Sequence, residues 1–73
     1  MWFQRGKLAQ AATSSNVSIE WLVKRLDCPM TRLRKIIGGQ GKANRYIARG
    51  LLEVFGYDAV VTAIDWRRTR YAG

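Results

Sequence analysis

Residues 18–39 read SIEWLVKRLDCPMTRLRKIIGG, and their apolar positions fall into two short stripes with a break between them. Ile19, Leu22, Val23 and Leu26 stand at i, i+3, i+4 and i+7, the spacing of one helix face. After Asp27-Cys28-Pro29 the same spacing resumes with Leu33, Ile36 and Ile37. Pro29 has no N–H to donate and a φ suited to a first turn, so it starts a helix but does not continue one. Two helices joined by so short a turn cannot pack antiparallel along their whole length. They cross steeply, as in a helix-turn-helix. The second helix carries Thr31, Arg32, Arg34 and Lys35 off its apolar stripe, where a phosphate backbone or base edges would meet them.

On the N-terminal side, residues 5–13 read as a first helix whose inward face is Leu8, Ala9 and Ala12. Thr13-Ser14-Ser15-Asn16 forms the connector, since such side chains compete locally for backbone hydrogen bonds. Ser18 suits the cap of the second helix, and Glu20 its positive end. Trp21 lies beside the apolar stripe rather than in it. Two readings stand for it: cover by Trp2, Phe3 or the tail, or an exposed aromatic anchor that forms, with Arg25, a protein-partner surface. Cys28 reads as a small core residue, with no second metal ligand nearby.

On the C-terminal side, Gly38-Gly39 end the third helix by allowing a left-handed residue. Gln40-Gly41-Lys42-Ala43 is a basic loop that lacks the spacing of a nucleotide-binding P-loop. Asn44 suits the cap of a fourth helix over 45–55, with Ile47, Leu51, Val54 and Phe55 inward and Gly56 at its end. The tail has two readings. Asp58 could cap a short fifth helix, but the β-branched alternation Val60, Thr62, Ile64, Trp66 favours a strand. A lone strand leaves its ladder unpaired, so the strand reading implies a homodimer paired about a two-fold axis. Arg67-Arg68-Thr69-Arg70 is then either a solvated end or a basic arm on an anionic partner.

The chain has 73 residues, 48% of them hydrophobic. That fits one small folded domain, residues 1–73, and is too apolar for a disordered tail. Thirteen Lys and Arg against five Asp and Glu give a net charge of +8. Such a surplus favours an anionic partner, and Lys24, Arg25, Arg32, Arg34, Lys35, Lys42, Arg45 and Arg49 concentrate it between the second and fourth helices. One cysteine excludes an internal disulfide and suits a reducing cytoplasm. No apolar run approaches the ~20 residues of a membrane span, and MWFQRGK lacks a signal-peptide core. There is no histidine and few carboxylates, so no acid–base pair, triad, metal site or cofactor is expected, and the chain is not read as an enzyme.

Taken in register over residues 8–57, these features resemble the lambda-repressor-like (Cro and repressor, XRE-type) helix-turn-helix family. Leu8 stands nine residues before Val17, which precedes Ser18 as the start of the second helix. Leu22-Val23, Leu26, Cys28, Leu33, Ile36, Gly39 and Val54-Phe55-Gly56-Tyr57 follow at the family's positions. Three positions depart from the pattern: Ile19 replaces a phosphate-touching Gln, Asp27 the Gly of the turn, and Pro29 a Ser or Thr cap. The resemblance implies a mainly α, compact helix-turn-helix domain of four to five helices, with a short C-terminal β-strand as the tail's alternative. It implies a phage-type, repressor-like transcription regulator on double-stranded DNA, cytoplasmic and nucleoid-associated. Met30, Thr31, Arg32, Arg34 and Lys35 would face bases; Ser18, Lys42, Asn44 and Arg45 would hold phosphates. The alternative is a phage-type protein of the same fold that binds host RNA polymerase, kept open by Ile19 and Trp21. An antitoxin is a third use of such a domain.

Overall fold

The computed structural model describes residues 1–72, with side chains as far as Thr69. It contains α1 (Lys7–Ser14), α2 (Ile19–Leu26), α3 (Met30–Ile37), α4 (Arg45–Phe55), α5 (Tyr57–Ala63) and α6 (Trp66–Ala72). The chain is mainly helical, as its periodicity requires, and none of these helices is long and apolar enough to cross a membrane.

The caps explain where the helices start and stop. Ser18 Oγ accepts from the Trp21 N–H at 3.1 Å, and Asn44 Oδ1 from the Ile47 N–H at 2.8 Å. Each satisfies one of the donors that a helix start leaves free. Glu20 lies in the first turn of α2 and Lys24 and Arg25 in its last, matching the helix dipole at both ends. Asp27 then takes a left-handed conformation, φ 50°, the geometry for which a glycine would have been easier. Its N–H and that of Cys28 both return to the Val23 carbonyl, which closes the turn into Pro29 and α3. α1 begins at Lys7, later than residue 5, and turns Leu8 inward while Ala9 is exposed.

α2 packs on α3 and α4, α1 on α3 and α5, and α4 on α5. Leu22, Leu26, Leu33, Ile36, Ile47 and Leu51 meet in one apolar core with Leu8, Val60 and Phe3. Gly50 is part of the reason α2 and α4 approach so closely, because a Cβ there would run into Leu26 Cδ2. Cys28 is buried in the same cluster, and burial pushes its thiol pKa up. That suits a packing residue rather than a nucleophile.

The tail is not a strand. Val60 and Ala63 are buried three residues apart, and Val61 is half-buried beside them. The segment therefore coils as α5 against α1 and α4. Tertiary packing has overridden its β-branched propensity. No strand occurs among the described residues, and α5 has no open ladder edge, so the reason for a strand-paired dimer disappears. Ile64 does make one antiparallel bridge, to Phe3 of the same chain. Residues 1–4 form a strap held by Gln4 N–H to Ala63 O (2.7 Å), Asp65 N–H to Trp2 O (2.8 Å) and Ala43 N–H to Met1 O (2.7 Å). Phe3 is thereby sealed in the core at 0% exposure.

Candidate nucleic-acid interface

α3 sorts its residues by angle. Leu33 and Ile36 are fully buried, and Met30 and Ile37 are half-buried at the edge of that face. Thr31, Arg34 and Lys35, spaced i, i+3 and i+4, form one line on the opposite side and are exposed. Arg32 is exposed on the flank, close enough to Cys28 for its charge to bear on that thiol. The five expected base-facing residues therefore divide into an outward line of three, a flanking arginine, and Met30 at the core boundary.

The loop after α3 folds back on it. Gln40 and Gly41 N–H both donate to the Lys35 carbonyl, at 2.8 and 3.0 Å, which sets the basic loop beside the last turn of α3. Lys42, Asn44 and Arg45 are exposed. Asn44 Oδ1 is occupied by its cap, leaving the amide NH2 to donate; Ser18 Oγ likewise accepts from its helix and retains its O–H. Burial and then nearby Lys42 lower the pKa of the Met1 ammonium, which donates to Ala43 O at 3.0 Å. Lys42 thus lies near the point where the strap is tied to the loop.

Arg49 belongs to this surface although the family resemblance does not mark it. It stands one helical turn from Arg45, and both line a groove floored by Met1, Ala43, Ala48 and Leu52. The signal was available in the i, i+4 spacing of two arginines off the apolar stripe of α4. From residue 28 to residue 52 the chain has Arg32, Arg34, Lys35, Lys42, Arg45 and Arg49 and no acidic residue. None of these six makes an ion pair among the described residues, where the pairs are Arg25–Glu53 and Arg68–Asp65. Exposed cations without ion pairs raise the local concentration of an anionic partner.

The other expected surface divides. Trp21 is 48% exposed, so neither the strap nor the tail covers it fully. Arg25, one turn further along α2, is held by Glu53 of α4 at 3.2 Å with both side chains half-exposed. An ion pair of that kind contributes about 0–1 kcal/mol and leaves Arg25 a weaker anchor than an unpaired cation. Of the expected basic run after α5, Arg67 is exposed, Arg68 is engaged with the strap, and the Arg70 side chain lies outside the described residues. No protein-family model, curated protein or solved structure matches the chain.

Proposed function

We propose that the chain is a small DNA-binding transcription regulator of the lambda-repressor-like type, with α3 in the major groove of duplex DNA. The observation that carries this reading is the exposed outward line Thr31, Arg34 and Lys35, with Arg32, Lys42, Arg45 and Arg49 also exposed and no acidic residue from residue 28 to residue 52. Arg34 and Lys35 suit guanine O6 and N7, and the Thr31 methyl suits a thymine methyl. Lys42, Arg45, the Asn44 amide and the Ser18 hydroxyl suit phosphates, which position the helix without reading sequence. Ile19 supplies no polar contact at the α2 start, so the loop and α4 carry more of the anchoring. Action at the nucleoid follows from this reading.

Duplexes selected from a random pool, followed by mobility-shift titration, test it. Arg34→Ala and Lys35→Ala are each expected to weaken the selected site by about 1–3 kcal/mol, roughly 5- to 150-fold. Binding should also fall steeply with salt as counterions return to the phosphates. Selected duplex bound no better than random duplex, with both variants unchanged, would contradict it. Half-exposed Trp21 supports a second reading, a protein partner such as host RNA polymerase. On that reading Trp21→Ala removes the partner at a cost of about 2 kcal/mol or more, and α3 variants do not.

A further inference from the structure

The helix pair does not explain why residues 1–4 are bound to residues 63–69 beside the basic loop. Met1 O accepts from Ala43 N–H at 2.7 Å and Trp2 O accepts from Asp65 N–H at 2.8 Å. Successive carbonyls of an extended segment point to opposite sides, so Ala43 and Asp65 flank the strap. At ordinary strand spacing they are roughly 10 Å apart. The start of α6 therefore lies one strap's width from Lys42 and its loop. Measured along the helix axis of B-DNA, that distance corresponds to an advance of about three base pairs, at about 3.4 Å each.

α6 is fixed in orientation as well as position. Thr69 Oγ1 accepts from the Trp2 N–H at 2.9 Å. Arg68 donates to Asp65 Oδ2 at 2.8 Å and to Phe3 O at 3.1 Å, with its guanidinium 4.7 Å from the centre of the Trp2 ring. Hydrogen bonds from the Arg68 backbone and side chain hold the Asp65 carboxyl below the usual carboxylate range. Asp65, whose Oδ1 accepts from the Arg68 N–H at 3.2 Å, thus stays charged until the pH falls through that lowered value. Asp65, Arg68 and Thr69 define the inner face of α6. Trp66 and Arg67 are left exposed, and the Arg67 side chain makes no ion pair or hydrogen bond among the described residues.

We infer that α6 is a second backbone-contacting element: Arg67, with Trp66 beside it, takes duplex phosphates adjoining those held by Lys42, Asn44 and Arg45. This rests on the DNA reading above. Two adjacent arginines have separate tasks here, Arg68 fastening the helix to the strap and Arg67 meeting the partner. The contact reads no base, so it adds affinity to all sequences equally.

Titration of selected and random duplexes over a range of salt, with full-length wild type, Arg67→Ala, Lys35→Ala and Lys7→Ala, tests it. Lys7 is an exposed cation on the α1–α5 side and controls for net charge. Arg67→Ala is expected to lower the slope of log affinity against log salt by about 1 and to weaken both duplexes by the same factor. Lys7→Ala should leave the slope unchanged, and Lys35→Ala should weaken the selected duplex more than the random one. Arg67→Ala indistinguishable from wild type while Lys35→Ala weakens binding would overturn this inference and leave the DNA reading standing. Equal losses in Arg67→Ala and Lys7→Ala would overturn it too, as a net-charge effect. A wild type that binds neither duplex would remove both.

Discussion

Leu33→Ala is expected to unfold the domain or destabilise it severely. Leu33 is fully buried where α3 packs on α2, in the cluster with Leu22, Leu26 and Ile36. Truncating a buried leucine removes its transfer energy and leaves a cavity, about 2–5 kcal/mol together. A chain of this length holds only about 4–11 kcal/mol in total. The midpoint of thermal unfolding, followed by far-ultraviolet circular dichroism, should fall by about 10–30 °C. A variant that melts within a few degrees of wild type would show that Leu33 is not where the two helices meet.

Gly39→Ala should be nearly as damaging, for a different reason. Gly39 has φ +81°, and a Cβ added there would lie 3.0 Å from Phe3 O and 3.2 Å from Arg5 N. The left-handed conformation alone costs an L-residue about 1–2 kcal/mol. The two neighbours are backbone atoms and cannot swing aside, so the strap must move, and overpacking of this kind adds about 1–3 kcal/mol. Displacing the strap also draws Phe3 from the core and frees the loop that carries Lys42. Denaturant unfolding should show a loss of about 3 kcal/mol, the sum of the two effects. A loss below about 0.5 kcal/mol, that of an ordinary surface substitution, would mean that the strap does not rest on Gly39.

The part of the fold legible in the sequence is the part made by local rules. Ile19, Leu22, Leu26, Leu33 and Ile36 announce two helical faces by spacing alone. Ser18 and Asn44 announce caps, and Arg45–Phe55 is bounded as its cap and Gly56 suggest. Asp27 takes the left-handed turn that the family resemblance places there. The tail failed because its alternation, Val60, Thr62, Ile64, is also compatible with a helix that buries Val60 and Ala63. Only the packing of α1 and α4 decides between them. The strap was illegible for a stronger reason: Trp2 bonds Thr69 and Met1 bonds Ala43, pairings that no periodicity encodes. Phe3 gave no local sign of being core.

The candidate surface follows the same division. Thr31, Arg34 and Lys35 come together because one helix puts them there. Lys42 and Arg45 join them because two backbone N–H groups of the loop close on the Lys35 carbonyl. Arg49 was counted with the basic residues between the second and fourth helices but given no phosphate-holding role, although its spacing to Arg45 makes one readable. Arg67 was visible only as one of a basic run, and its separation from Arg68 needed the strap.

Amide chemical-shift mapping of the labelled full-length chain, titrated with a selected duplex at physiological salt, tests the central claim most directly. The account predicts the largest changes over residues 30–35 and 42–45, with a smaller one at the capped start of α2, where the Trp21 N–H donates to Ser18 Oγ, and little at the Trp21 indole or Arg25. Changes centred on Trp21 and Arg25, or no saturable change at all while a polymerase subunit binds through that face, would contradict it.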